Sequence, residues 1–347
     1  MGSSFSRNNF PVQGRTILIT GASRGTGLEA ARQLAAKGAN VVIVARDAER
    51  LRDGIGLLKK AALSLETQRF HCIPADLTDA ETCIQVLSQT TEWNTGLPPD
   101  IVWSFVGVAY PHLFIETEAS QLRAQMEINY FANAFMAHAA LRTWLGEATG
   151  QAGGETTKRK AIATRHLIFT SSFQGLYPMI GYTSYGPAKA GLRSLSDSLS
   201  QELQLYAAAN PSSPAVRVHT IFPATILTEA YENENLVKPD VTKMLEETDS
   251  GQTAEVVARK SIKGLENGHE LVTSDILTRF VLSTTFGASK RGGFFRSLVD
   301  WVIGCLGLFI LIFVRWDMDR QVRNFGKRYG RFGTSRSVRP TDSTVGE

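Results

Sequence analysis

Short apolar runs alternate along this chain with longer stretches in which apolar residues recur every three or four positions. Thr16-Ile-Leu-Ile-Thr20 and Asn40-Val-Val-Ile-Val-Ala45 predict buried strands. Between them a glycine-rich turn leads into Leu28 to Lys37, which carries a helical period and stops at Gly38. That makes one βαβ unit, and the pattern repeats. A helix is expected over Ala48 to Leu65, a strand over Phe70 to Pro74, a helix over Ala80 to Thr91 and a strand over Asp100 to Phe105. A long helix over Gln121 to Leu145, a strand over His166 to Thr170, a helix over Tyr185 to Ala208 and a strand over Val216 to Phe222 follow. Alternation on this scale predicts an α/β fold, a doubly wound parallel sheet of Rossmann type.

Two segments break the rhythm. Residues 146–164 are rich in Gly, Thr, Ala and Lys, have no period, and read as a flexible surface insertion between a helix and a strand. Trp301 to Val314 carries no charge. As a helix it is about 21 Å long, short of the roughly 30 Å of a bilayer core. A short transmembrane helix, a re-entrant or interfacial segment and a buried core helix all remain open on length alone. Trp301 and Trp316 bracket the run as interface anchors would, and Arg315, Arg320, Arg323, Lys327, Arg328, Arg331, Arg336 and Arg339 follow it. Such a cluster favours the cytosolic face of an anionic membrane, which argues against the buried helix. Ile276 to Ala288 is apolar enough to pair with it as a hairpin.

These shifts divide the chain into an N-terminal tail (1–13), a nucleotide-binding domain (14–275), a hydrophobic membrane-associated region (276–316) and a basic tail without fixed structure (317–347). Met1-Gly2-Ser3-Ser4-Phe5-Ser6 also fits the N-myristoylation pattern. A net charge of +4 points to no nucleic-acid partner, and three scattered cysteines make neither a disulfide framework nor a metal site. Homo-oligomerisation is left open.

Candidate chemistry sits at the ends of the predicted strands. In Thr20-Gly21-Ala22-Ser23-Arg24-Gly25-Thr26-Gly27, Gly21, Gly25 and Gly27, with Ser23, let backbone N–H groups approach a pyrophosphate at a helix N-terminus. The second strand ends in Arg46, where an acidic residue would select NAD. Arg24 and Arg46 instead suit the 2′-phosphate of NADPH, although Asp47 comes next. Asp76 and Leu77 follow the third strand, placed either for an adenine ring or for a helix cap. Tyr185 and Lys189 are four residues apart, one turn on a helix face, so the ammonium is expected to lower the phenol from its usual value of about 10. Ser172 lies thirteen residues before Tyr185 and is preferred to Ser171 on that spacing. A hydroxyl, an acidified phenol and a fixed cation suit protonation of a carbonyl oxygen as hydride reaches carbon. Tyr182 has glycine, not lysine, four residues on, and reads as a wall of the site.

Together these motifs, with Asn129 in Met126-Glu-Ile-Asn-Tyr130, resemble the short-chain dehydrogenase/reductase superfamily over Gly14 to about Leu282. Within it, Phe169-Thr-Ser-Ser172, Gly181 to Arg193, Leu199-Ser-Gln-Glu-Leu203 and Lys238-Pro-Asp-Val-Thr242 are most similar to fungal 3-ketodihydrosphingosine reductases. The resemblance implies NADPH-dependent reduction of a long-chain sphingoid ketone, 3-ketosphinganine, to sphinganine at the endoplasmic reticulum membrane, with membrane lipid as a partner. It implies Tyr185 as proton donor, Lys189 on the nicotinamide ribose, Ser172 polarising the carbonyl, and Asn129 anchoring a water relay. Gly107 and Thr225 would flank the nicotinamide. The family's Asn-Ala-Gly is Phe105-Val106-Gly107 here, and its Pro-Gly is Pro223-Ala224. Reduction of another lipophilic ketone (retinoid, steroid, fatty-acyl) and a catalytically silent NADP-binding module are the alternatives.

Overall fold

The computed structural model describes residues 8–146, 164–290 and 292–331. The N-myristoylation pattern and nearly all of the 146–164 insertion lie outside them.

Seven parallel strands build one sheet. In chain order they are β1 (Thr16–Thr20), β2 (Asn40–Ala45), β3 (Phe70–Pro74), β4 (Ile101–Ser104), β5 (Arg165–Thr170), β6 (Val216–Phe222) and, near the end, β9 (Leu271–Thr273). Their spatial order is β3-β2-β1-β4-β5-β6-β9. The reversal falls between β1 and β4, where the strand ends open a crevice that suits a dinucleotide. Strands β1, β2 and β4 are fully buried apart from the last residue of β2, as unbroken Val/Ile runs in a sheet covered on both faces should be. A two-stranded parallel ribbon, β7 (Ile226–Leu227) and β8 (Gln252–Thr253), lies apart from the main sheet.

One face of the sheet is covered by α1 (Gly25–Ala36), α2 (Ala48–Ala61) and α9 (Ala254–Glu266), whose Leu34, Leu58, Ile262 and Leu265 pack on Ile17, Ile43 and Trp103. The other carries α3 (Ala80–Trp93), α5 (Ala132–Gly146) and α6 (Gly186–Ala209), with Val86, Met136, Trp144 and Leu192 over Leu18, Val102 and Phe169. Before α5 the chain runs through α4 (Ala119–Met126) and a wide π turn, Glu127–Phe131. The expected single helix over Gln121 to Leu145 is therefore divided at Asn129.

Two domain boundaries shift. Residues 8–13 do not form a free tail: Phe10 and Val12 are buried, and the Phe10 ring meets His166 edge-on at 5.0 Å. At the other end, α11 runs unbroken from Phe294 to Tyr329. The basic stretch after Val314 continues the helix instead of leaving it, because spacings such as Arg315–Asp319 (3.0 Å) and Asp317–Gln321 (2.7 Å) pair one turn apart.

Among the described residues α11 is the one helix long and apolar enough to cross a membrane, and 17% of its most apolar window is buried. Its inner stripe is Asp300, Gly304, Gly307 and Phe325. Asp300, 2% exposed, pairs with Arg279 of the preceding helix α10 (Ile276–Thr284). A Cβ at Gly304 would lie 2.6 Å from the Ser283 carbonyl, so only glycine allows this approach. Helix α10 spans about 14 Å, too short for one arm of a membrane hairpin. Its Val281 and Leu282 join Phe222 and Leu271 of the sheet edge in one cluster.

Candidate active site

A single cavity of about 1920 Å³ runs from the first βα turn to α11. This exceeds the usual size for a small-molecule pocket.

At its cofactor end, Gly21 has φ +70° and would place a Cβ 2.8 Å from the Phe105 backbone. At Gly27 a Cβ would meet the Gly21 carbonyl at 2.5 Å. The turn is thereby folded tightly under α1, whose N-cap, Arg24, makes no side-chain cap and whose first turn holds no acid. Free N–H groups at an uncompensated helix N-terminus suit a phosphate. Gly21, Ser23, Arg24, Gly25, Gly27, Arg46, Asp76, Leu77, Gly107 and Thr225 all line this cavity.

Asp47, which stood in the way of an NADP reading, is the N-cap of α2: its carboxylate accepts from the N–H groups of Glu49 (3.1 Å) and Arg50 (3.0 Å). Asp76 accepts from the Thr78 N–H and hydroxyl, while Asp79 caps α3, so Asp76 is not that helix's cap. One residue escaped the sequence reading. Arg50 converges with Arg24 on Glu229, at 2.9 and 2.6 Å, the acid coming from the first turn of α7 (Glu229–Val237). Arg50 stands in the first turn of α2, four residues after Arg46, and that spacing was the available signal.

At the reacting end, the pair of serines is resolved by geometry. Ser171 donates to the Lys189 carbonyl at 2.7 Å and is buried under α6. Ser172 lines the cavity with Tyr185 and accepts from the Gln174 N–H. Lys189 Nζ donates to the Thr170 carbonyl at 3.0 Å and lies 5.6 Å from the centre of the Tyr185 ring. Ser172, Tyr185 and Lys189 thus meet at the carboxyl ends of β5 and β6.

The electrostatics differ from expectation. Burial pushes the Tyr185 phenol above its ordinary value, the Ser172 hydroxyl draws it part of the way back, and the charge of Glu234 raises it. Burial also brings the Lys189 ammonium down to about 8. The expected lowering of the phenol by lysine is not seen: burial sets the direction, and the one group that lowers the phenol is Ser172. A phenol held protonated is the form a proton donor needs.

Asn129 is fully buried, and its amide is occupied. Nδ2 donates to the Val108 and Gln125 carbonyls, and Oδ1 accepts from the Val108 N–H, all at 3.0 Å. Its side chain clamps the loop after β4, and Oδ1, which accepts one hydrogen bond there, keeps a second lone pair. A Cβ at Gly107 would sit 2.7 Å from Asn129 Oδ1 and 2.8 Å from Lys189 Nζ. The glycine of Phe105-Val106-Gly107 is therefore required by packing, whereas Phe105 stacks on Trp103 at 4.8 Å. Tyr182 is buried and walls the cavity.

A glycine turn at a helix N-terminus, with Ser, Tyr and Lys converging beyond it, defines a dinucleotide-dependent oxidoreductase. The family model for short chain dehydrogenases matches residues 15–238, and the chain belongs to that family. Among its relatives, the 3-ketodihydrosphingosine reductase of Aspergillus fumigatus is 41% identical over 333 residues, covering 94% of this chain and 88% of the relative. That of Neurospora crassa is 37% identical, covering 92% and 87%. In fold the chain is similar to a short-chain dehydrogenase from Sphingobium yanoikuyae in complex with NADPH (TM-score 0.59, 22% identity, 76% of this chain and 88% of that one). It is also similar to one from Burkholderia phymatum in complex with NAD (TM-score 0.62, 17% identity, 76% and 90%).

Proposed function

We propose that this protein reduces 3-ketosphinganine to sphinganine with NADPH, on the cytosolic face of the endoplasmic reticulum membrane. The observation that carries the reading is the continuity of one cavity. The glycine turn, the Ser172–Tyr185–Lys189 group and Ile310, Leu311, Phe313 and Val314 of α11 all line it. A polar ketone with a long alkyl chain fits such a lining, and the two fungal relatives bear the corresponding name.

The residues fit a dinucleotide: an open α1 N-terminus, backbone approached through Gly21 and Gly27, and two guanidiniums beside the second strand. Bound NADPH supplies the hydride. Tyr185, protonated by virtue of its burial, donates its proton to the ketone oxygen, and Ser172 orients and polarises that oxygen. Lys189 supplies a cation beneath them and a donor for the nicotinamide ribose. Asn129 holds the Gly107 loop in place and so positions the floor of the site. Arg24, Arg46 and Arg50 favour the 2′-phosphate, since no carboxylate is free at the end of β2.

The test is NADPH oxidation by the purified full-length protein with 3-ketosphinganine. Tyr185→Phe is expected to lose about 10²–10⁴ of the rate. Replacing both Arg24 and Arg50 with alanine is expected to raise KM for NADPH about 10–100-fold, with little change for NADH. Turnover of a steroid or retinal but not of this ketone would overturn the substrate. Cofactor binding without any turnover would favour the silent module, and equal efficiency with NADH would overturn the cofactor preference.

A further inference from the structure

Helices α7 and α8 (Asp240–Leu245), with the turn after α8, gather charged side chains around one buried point beside the reacting centre. Tyr182 Oη lies 2.6 Å from Glu234 Oε1 and 2.8 Å from Glu246 Oε1. Lys238, its side chain fully buried, places Nζ 3.0 Å from Glu234 Oε1 and 2.6 Å from Glu246 Oε2. Tyr182, Glu234 and Glu246 line the same cavity as Tyr185, and the two tyrosine rings are 6.2 Å apart.

The hydrogen-bond count in this cluster does not close. A phenol has one proton to give, and both of its partners here are carboxylate oxygens that can only accept. Tyr182 keeps that proton, because burial first, and then the charges of Glu234 and Glu246, push it far up. One of the two short contacts therefore sets acceptor against acceptor. The charge does not close either: two carboxylates face one ammonium in a site largely shielded from water. An independent sign comes from the segment that carries Ser172. Gln174, 8% exposed, lines the cavity with an Oε1 that has no partner among the described residues. The cavity wall is short of donors and of one positive charge. A primary ammonium brings three donors and that charge.

We propose that Glu234 and Glu246, with Tyr182, form the subsite for a protonated primary amine adjacent to the ketone. The inference rests on the reading of the substrate as 3-ketosphinganine, whose amine sits on the carbon next to the carbonyl. The group that protonates such a ketone and the group that holds its amine must be neighbours, as Tyr185 and this cluster are. Lys238 is a positioning residue: it ties the two carboxylates together and keeps both facing Tyr182. The subsite separates 2-amino ketones from plain alkyl ketones of the same length.

The experiment compares full-length protein on 3-ketosphinganine and on the long-chain 3-ketone in which hydrogen replaces the amine. The wild type is expected to prefer the amino ketone by about 100-fold in kcat/KM. Glu234→Gln and Glu246→Gln, nearly isosteric, are each expected to raise KM for the amino ketone at least about tenfold. In Glu246→Gln, whose charge does not act on Tyr185, turnover of the deaminated ketone should stay at wild-type level, and NADPH affinity should stay so in both variants, which also reports that they fold. Equal loss on both ketones would make the cluster a structural latch and overturn the subsite. Equal wild-type turnover of the two ketones would overturn the subsite while leaving the proposed reaction standing. Preference for a ketone without a long chain would overturn the reaction, and the subsite with it.

Discussion

At Lys189 an ammonium is held away from water, and this has a measurable consequence in the absence of cofactor. The folded value of about 8 lies below the ordinary 10.5, so between these two pH values the unfolded chain binds more protons than the folded one. Stability contributed by this site therefore rises as pH climbs from 8 to 10.5, and the full cost is present below 8. Lys189→Met is expected to stabilise the cofactor-free protein by up to about 3 kcal/mol at pH 7, a gain that shrinks through this window. Denaturant unfolding of both proteins at pH 7, 9 and 10.5 checks it, and a gain independent of pH would contradict the depressed ammonium. Tyr185 and Lys189 were legible because their chemistry depends on one helical turn of spacing. Tyr182 was legible as a wall of the site, but its meeting with Glu234 and Glu246 was not, since contacts across 52 and 64 residues leave no local pattern. Arg50 was hidden for a related reason: its meaning comes from Glu229, 179 residues away.

At the scale of elements, strands were the most legible and broken helices the least. An unbroken apolar run buried on both faces marks its own ends, and β1 and β2 begin and end where the sequence placed them; so do β3 and β6, although both are only partly buried. The π turn at Glu127–Phe131 has ordinary helical residues and shows itself only through the bonds Asn129 makes across to Val108. Asp300, the residue before the uncharged run, latches α11 to α10 through Arg279, a role that no local pattern announces. Arg279→Met would leave a carboxylate buried without a partner. A loss of about 3–5 kcal/mol is expected from this variant. Arg279→Met combined with Asp300→Asn should recover most of it. Thermal unfolding in detergent distinguishes the two, and a single variant as stable as the wild type would show that α11 does not depend on the latch.

For the whole molecule the question is how an apolar helix can both wall the active-site cavity and meet a membrane. From Asp300 to Gln321 one side of α11 is engaged by the reductase domain, through Arg279 at one end, Tyr177 against Met318 further on, and the cavity between them. That length is about 31 Å, as much as a bilayer core is thick. Were this segment to cross the membrane, the folded domain beside it would have to enter the hydrocarbon. The opposite side presents Trp301, Leu306, Leu308, Phe309, Ile312 and Trp316, all largely exposed, followed by Arg315, Arg320 and Arg323. An apolar outer face with an adjoining basic end suits a helix lying in the plane of an anionic surface, with the cavity opening beside it. Such an arrangement would deliver a lipid ketone to Tyr185 without taking it through water. In sealed microsomes, external protease is then expected to remove a C-terminal epitope as readily as it digests the catalytic domain. Replacing Phe309 and Ile312 with aspartate should release the protein from anionic vesicles, while turnover of detergent-dispersed ketone stays within about threefold of wild type. A protected epitope, or a double variant that stays on the vesicles, would place α11 across the bilayer instead and would require the helix to leave the cavity it walls.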